Sequence, residues 1–414
     1  MVKGQVPLAG EITIGGSKNA VLPMMAACIL HKGVTRICNC PWIKDVQSMI
    51  DIMQSLGCKI QYDRGMLTVD AGQLKQVTLQ GAHVRSMRSS IVLLGALMGR
   101  VGEAQIAYPG GCHIGARPID YHIQALRSMN VTIEEKEVLH CYTEELCGAE
   151  ICFAANSVGA TENVLLAAVL ATGVTHIRNA AKEPEILALC RMLKQMGADI
   201  TGDGTNDIYI RGVKELREIT INVVSDRIIA GTYMTAVAAT GGKAVFHMDC
   251  IPELESLIQV LEQMGNSIYR EEKLLVIEKM HKKKKDLQIV TGPYPEFPTD
   301  MQSQIMAALT IEPGLDTIVE TVFESRFHPV SELRRLGAKI DIIDNIALIE
   351  GVSHLSGQDM QASDLRGGAA LIIGGLLAEG ESSVRNIEYI ERGYEDICRD
   401  LRLLGADIRK IEVQ

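Results

Sequence analysis

The sequence predicts an α/β protein of two globular halves, each built from three repeated units with helices inside and sheets outside. Three observations lead there. The chain has 414 residues, 47% of them hydrophobic, which is enough for a large core and more than one domain. An amphipathic run that ends in Leu-Gly or a near equivalent, followed by a short alternating strand, recurs at "MQSLGCKI", "LRSMNVTI", "LKQMGADI", "LEQMGNSI", "LRRLGAKI" and "LRLLGADI". Upstream of each lies a second kind of run, apolar on nearly every side.

The anchor residues are Gly57, Asn130, Gly197, Gly265, Gly337 and Gly405. They stand roughly 70 residues apart, longer than the usual solenoid period and nearly enough for a small core per unit. The upstream runs are "SKNAVLPMMAACIL", "SMRSSIVLLGALMG", "NSVGATENVLLAAVLATG", "SDRIIAGTYMTAVAATG", "PTDMQSQIMAALT" and "SDLRGGAALIIGGLLAEG". Rich in Ala and Gly, they read as helices buried on all sides and packed closely. Helices such as "EPEILALCRMLKQMG" and "IPELESLIQVLEQMG" carry apolar residues at three- and four-residue spacing with charges between, so they lie on a surface. Each anchor then reads as the residue after a helix end in the left-handed conformation. Short β-branched stretches, "VTRICN", "KIQYDRGMLTVD", "THIRNA", "IYIRG", "AVFHMD", "SIYREEKLLVIE", "KIDIIDNIALIEG" and "SSVRNI", fill the gaps as strands. The unit is strand, buried helix, strand, surface helix, hairpin.

Composition excludes several function classes. The net charge of -10 makes the chain a poor partner for nucleic acid or an acidic membrane surface, so an anionic ligand needs a local basic site. With 4% aromatic residues, platforms for stacking bases are not expected. The N-terminus has no signal-peptide pattern and no apolar run reaches the length of a membrane span. Eleven cysteines, an odd number without a CxxC pair, fit a reducing compartment, hence the cytoplasm. Cys38 and Cys40 lack a second ligand pair and the histidines show no metal spacing, so neither metal nor cofactor is expected. "TIGGSKNA" lacks Walker spacing, "TGDGTN" reads as a hairpin turn, and "HKKKKD" reads as a solvated turn.

The starts of the buried helices carry Lys18 and Asn19, Arg88, Ser157 to Gly159, Asp226 and Arg227, Asp300, and Asp364 with Arg366. Free N–H groups and a partial positive charge suit such ends to anions. Ser157, Asp226, Asp300 and Asp364 also read as ordinary N-caps. If the two halves face each other, these termini converge on one cleft. Arg117, Arg326 and Arg392 occupy matching repeat positions before the surface helices, and together favour a ligand with several phosphate or carboxylate groups. Cys112 lies in "YPGGCHIGARPIDYH". Flanked by glycines and near Arg117, it reads as a thiol of lowered pKa, a nucleophile or proton donor. Cys28, Cys152 and Cys190 sit in apolar runs and read as inert core.

Taken in order, "GGSKNA", "MRSS", "PGGCHIGARPID", "SVGAT", "FPTDMQ", "FESRF", "SDLRGGAAL" and "ERGYE" make the whole chain resemble the UDP-N-acetylglucosamine 1-carboxyvinyltransferase family of enolpyruvyl transferases. The resemblance implies two inside-out α/β barrel domains of three βαβαββ-type units each. One spans 18–226 and carries the Cys112 lid loop; the other takes 1–17 and 227–414, with the active site in the cleft between them. It implies transfer of the enolpyruvyl group of phosphoenolpyruvate to the 3′-hydroxyl of UDP-N-acetylglucosamine, with release of phosphate, at the committed step of bacterial peptidoglycan synthesis on which cell shape and division depend.

The resemblance also implies residue roles. Cys112 donates a proton to the methylene carbon, forms a covalent adduct with phosphoenolpyruvate and is alkylated by fosfomycin. Asp300 accepts the sugar hydroxyl proton. Lys18, Asn19, Arg117, Arg366 and Arg392 hold phosphoenolpyruvate, with Lys18 and Arg392 counted as catalytic. Arg88, Arg117, Pro118, Ile119, Asp120, Tyr121, Ser157, Val158, Gly159, Asp300 and Val322 contact the nucleotide sugar. His113 follows the cysteine where the family varies, and "AAN" before Ser157 lacks a lysine that some relatives place near the diphosphate. The competing readings are the sister enzyme acting on shikimate 3-phosphate, which lacks the "GGC" lid, and a catalytically inactive paralogue that serves as a binding protein.

Overall fold

The computed structural model describes residues 1–411 apart from 109, 111–114, 116, 117, 282 and 284. Among the described residues two compact units emerge, one of 16–110 and 118–224, the other of 1–15, 115 and 225–411. Each has its own apolar core.

Each unit carries three four-stranded sheets on one plan. In the first unit one sheet runs in the order Glu150–Cys152, Val174–Arg178, Asp207–Arg211, Asp199–Thr201. Its first pair is parallel and the other two are antiparallel. The parallel pair is joined through the buried helix Val158–Ala168, and the hairpin follows the surface helix Pro184–Gln195. Strand residues alternate between exposed and buried, as along Asp207–Arg211, because one face of the sheet covers the core and the other meets water.

Three sheets are completed by distant segments. Thr220–Asn222 pairs in parallel with Val34–Cys38, and Ala9–Thr13 with Lys243–His247. In the sheet of Asp359–Gln361 and Glu381–Arg385, the strand Val2–Lys3 takes the third place, with Asp407–Ile408 beyond it. Sequence periodicity marks the repeat, whereas these exchanges need the tertiary structure.

The Ala- and Gly-rich helices are interior. All thirteen residues of Leu365–Leu377 are buried, as are Ile228 to Ala239 of Arg227–Thr240. Close packing requires the glycines: a Cβ on Gly95, in Val92–Val101, would lie 2.2 Å from the Asn163 carbonyl oxygen of the neighbouring helix. The six anchors all have positive φ, from 68° at Asn130 to 107° at Gly57, the backbone that ends each surface helix and turns the chain into its hairpin.

Two expectations are corrected. Cys152 is exposed, because it alternates outward with Glu150 on its strand. Within "HKKKKD", Lys283 is buried and pairs with the buried Asp316 carboxylate, which also accepts from Leu287 N at 2.7 Å. A buried carboxylate needs a counter-charge, so one lysine of the run is drawn inside. Lys282 and Lys284 lie outside the described residues.

Candidate functional site

The loop residues Cys112 and Arg117 also lie outside the described residues, as does His113. The other expected positions fall into two groups, one on each unit.

In the first unit, Ser17 caps the helix Lys18–Ala27 by accepting from Ala20 N at 3.3 Å. This cap sets Lys18 at the first helical position, where its Nζ meets Asp45 Oδ2 at 2.7 Å. Both residues are buried. Asn19 Nδ2 donates to Glu185 Oε1 at 3.5 Å. Glu162, buried on Val158–Ala168, has its carboxyl pushed well up by burial first and then by Glu185 and Glu183. Ser157 caps that helix through Ala160 N at 3.4 Å.

Arg88 Nη2 donates to Pro118 O at 3.1 Å. This ties the 3-10 turn Arg88–Ile91 to the start of Asp120–Ser128, where Ile119 is buried while Pro118 and Asp120 are exposed. Tyr121 packs at 5.8 Å against the Phe153 ring. Beneath them His122 is buried, and its pKa is lowered to about 3 by burial and then by Arg88.

In the second unit, Asp226 caps Arg227–Thr240 through Ile228 N at 2.8 Å and Ile229 N at 3.0 Å. Asp364 likewise caps Leu365–Leu377 through Arg366 N at 3.0 Å and Gly367 N at 2.9 Å. Asp300 does not follow the capping pattern. It sits in the 3-10 turn Thr299–Met301 before Gln302–Leu309, and its carboxylate is clamped between Arg326 and, at 2.9 Å, Arg366 Nη2. Burial alone would raise the Asp300 pKa, but Arg366, Arg326 and Arg227 outweigh it and hold the carboxyl well below the usual range. Arg366 itself is disfavoured by burial yet held charged by Asp300, Tyr394 and Asp226. Gln304 Nε2 donates to Asp300 O at 2.9 Å and to Thr232 Oγ1 at 3.2 Å, and Thr232 shares a 2.7 Å hydrogen bond with the Tyr394 hydroxyl.

The structure therefore brings together Asp300, Arg366 and Arg326, and separately Arg88 with Pro118. Arg326, expected with Arg117 and Arg392 to favour an anionic ligand, is buried because it neutralises Asp300. Arg392 is half-buried at the end of the turn Ile390–Arg392. Val322 is exposed, on a turn fixed by the buried Glu320, whose Oε1 accepts from Val322 N at 2.8 Å and Phe323 N at 3.1 Å. Asp45, Glu162, Glu185 and His122 were not anticipated. Each sits on a helix where its residue type is ordinary, and no spacing signals its partner.

Among the described residues, no group of three or more His, Cys, Asp or Glu side chains is arranged to hold a metal ion. No described helix is long and apolar enough to cross a membrane.

The sequence profile of EPSP synthase (3-phosphoshikimate 1-carboxyvinyltransferase) matches residues 2–401. UDP-N-acetylglucosamine 1-carboxyvinyltransferase 2 of Caldanaerobacter subterraneus subsp. tengcongensis is 45% identical over 411 residues, covering 99% of each chain. UDP-N-acetylglucosamine 1-carboxyvinyltransferase of Acinetobacter baylyi is 42% identical, again over 99% of each. In fold, the enolpyruvyl transferase NikO from Streptomyces tendae superposes with a TM-score of 0.87 at 23% identity, over 99% of this chain and 97% of that one. EPSP synthase from Acinetobacter baumannii gives 0.74 at 18% identity, over 98% and 97%. Three sheets around three buried helices in each unit are thus the inside-out α/β fold of these transferases, and the chain belongs to the EPSP synthase family of enolpyruvyl transferases.

Proposed function

We propose that this enzyme transfers the enolpyruvyl group of phosphoenolpyruvate to the 3′-hydroxyl of UDP-N-acetylglucosamine and releases phosphate, the step that commits the sugar nucleotide to peptidoglycan and so to cell shape and division. The observation that carries this reading is full-length identity of 40% to 45% with relatives of that name, together with the presence of Lys18, Cys112, Asp300, Arg366 and Arg392 in the motifs of this chain. Both substrates are anions, in keeping with the cationic side chains at these positions.

In the proposed reaction the sugar hydroxyl oxygen bonds to C2 of phosphoenolpyruvate while its proton passes to Asp300, and Cys112 gives a proton to C3. The tetrahedral adduct then loses a C3 proton and the C2–O bond to phosphate. Lys18, Asn19, Arg117, Arg366 and Arg392 hold the donor's phosphate and carboxylate and offset the charge that develops. The contacts to the nucleotide sugar are assigned to Arg88, Arg117 to Tyr121, Ser157 to Gly159, Asp300 and Val322.

The arginine clamp bears on the base. A carboxylate facing two guanidinium groups is ionised but weakly basic. When phosphoenolpyruvate takes up part of the Arg366 charge, the basicity of Asp300 rises toward what proton transfer needs. The glycines around Cys112 suit a loop that closes over both substrates and excludes water. Alkylation of Cys112 by fosfomycin, a cytoplasmic location, no use of a cofactor and no nucleic-acid or membrane partner complete the proposal, as does the domain division at 17/18 and 226/227.

The test is phosphate release from phosphoenolpyruvate by the purified protein without added metal. Release that requires UDP-N-acetylglucosamine supports the reading. Release with shikimate 3-phosphate instead, or none from folded protein that binds the nucleotide sugar, overturns it in favour of the sister activity or of an inactive paralogue.

A further inference from the structure

Three buried polar side chains of the second unit, Thr232, Gln304 and Tyr394, stand behind the Asp300–Arg366 pair and are unused by the mechanism above. The direction of each hydrogen bond among them follows from what the partners can do. Thr232 Oγ1 lies 2.8 Å from Ile228 O, a carbonyl that only accepts, so the single hydroxyl proton goes there. At its 2.7 Å contact with the Tyr394 hydroxyl the threonine oxygen must then accept, and Tyr394 is the donor. Gln304 Nε2 sits 2.9 Å from Asp300 O and 3.2 Å from Thr232 Oγ1. Turning the amide over would set its oxygen against the Asp300 carbonyl oxygen, so the nitrogen faces both.

Both lone pairs of the Thr232 oxygen are thus taken, one by Tyr394 and one by Gln304. Because the Tyr394 proton is committed to Thr232, the phenol oxygen turns its lone pairs to the cation beside it, Arg366. Gln304 keeps its amide oxygen buried without a partner among the described residues, a cost that an apolar side chain of similar size avoids. The residue is therefore placed for its nitrogen, which is fixed on the main chain of Asp300. One threonine hydroxyl ties the carboxylate to its counter-charge by two arms, Gln304 to the Asp300 backbone and Tyr394 to the Arg366 guanidinium. The groups it joins come from the helices Arg227–Thr240, Gln302–Leu309 and Leu365–Leu377 and from the segment after the turn Ile390–Arg392, so no single element could set their relative placement.

Resting on the proposed function, we infer that Thr232, Tyr394 and Gln304 are positioning residues for the transfer, which hold the Asp300 carboxylate and the Arg366 guanidinium in the relative placement that proton abstraction needs. Tyr394 gives Arg366 a second acceptor, so the guanidinium does not settle wholly on Asp300 Oδ2 and that oxygen stays within reach of the sugar hydroxyl. Gln304 fixes the backbone from which the carboxylate projects. Rigid support of this kind decides whether a reacting group is in place or an ångström away from it.

The experiment measures steady-state phosphate release by the full chain and by Thr232→Val, Thr232→Ser, Tyr394→Phe and the Thr232→Val, Tyr394→Phe double variant, with calorimetric binding of UDP-N-acetylglucosamine to each. Thr232→Val and Tyr394→Phe should each lose roughly tenfold to a hundredfold in kcat, while affinity for the nucleotide sugar stays close to wild type. The double variant should be no slower than Thr232→Val alone, because both changes act through one path. Thr232→Ser keeps the hydroxyl and should recover most of the turnover. Tyr233→Phe is the control for stability: it removes an equally buried tyrosine hydroxyl from the same helix as Thr232, one that donates instead to Asp400 Oδ2 at 2.9 Å, and it should turn over as wild type. Undiminished kcat in Tyr394→Phe or Thr232→Val, losses that multiply in the double variant, no recovery in Thr232→Ser, or an equal loss in Tyr233→Phe overturns the inference and leaves the proposed function standing. Wild-type protein that releases no phosphate in the presence of UDP-N-acetylglucosamine overturns both.

Discussion

Replacing Asp300 by Asn removes one negative charge from between two cations and keeps the side-chain shape. The side chains of Arg326 and Arg366 are 3% and 5% exposed, so neither recovers hydration when its partner is neutralised. Breaking a buried ion pair typically costs about 3–5 kcal/mol. Two features place this case at the lower end: Asp300 keeps 25% of its side chain exposed, and Arg366 still has Asp226 and Tyr394 nearby. The loss falls mainly on Arg326, whose other polar contact among the described residues is Thr299 O at 3.3 Å. Asp300→Asn is therefore expected to lose about 3 kcal/mol from the second unit in urea denaturation at pH 7. Inorganic phosphate, which can stand in for the carboxylate, should restore more stability to the variant than to the wild type. Turnover should be lost, since the proposed base is gone. A variant within about 0.5 kcal/mol of wild type, the ordinary range for surface substitutions, would refute the argument that Asp300 is the counter-charge of this cluster.

Cys112→Ala should abolish phosphate release while UDP-N-acetylglucosamine binds nearly as in the wild type; retained turnover would overturn the role assigned to the thiol. Lys283→Met strands the buried Asp316 carboxylate with the Leu287 N–H bond and is expected to cost about 3–5 kcal/mol, most of it recovered in the Lys283→Met, Asp316→Leu double variant; equal stability of single and double variants would show that the pair is not the cause. His122 gives a pH signature. Its folded pKa is about 3 against about 6.5 for a free imidazole, so the unfolded chain binds the extra proton between those values. The contribution is whole above about pH 6.5 and is lost as pH falls toward 3, at up to about 1.4 kcal/mol per pH unit. His122→Gln should show a shallower decline in denaturation measured at pH 6 and pH 5, and unchanged slopes would mean that His122 is not kept neutral by the fold.

The sequence by itself determined the repeat. Six anchors with the same helix-ending residue, and six Ala- and Gly-rich runs, are local signals that a period search reads directly, because a left-handed helix end and an all-round apolar helix each leave a mark within a few residues. The same signals located the starts of the buried helices, and the ordered motifs led to the family. What the tertiary structure alone decided is which groups meet. Val2–Lys3 enters a sheet with strands near residues 381 and 407, and Asp300 is clamped by arginines 26 and 66 positions away instead of capping its own helix. Asn163 reaches His122 across 41 positions. Cys152 and Lys283 were misread for the same reason: strand alternation turns a cysteine outward from an apolar run, and a buried aspartate draws a lysine in from a charged one. Local sequence sets the backbone, but the protonation and direction of a polar side chain depend on the charge and burial of neighbours that only the folded chain supplies.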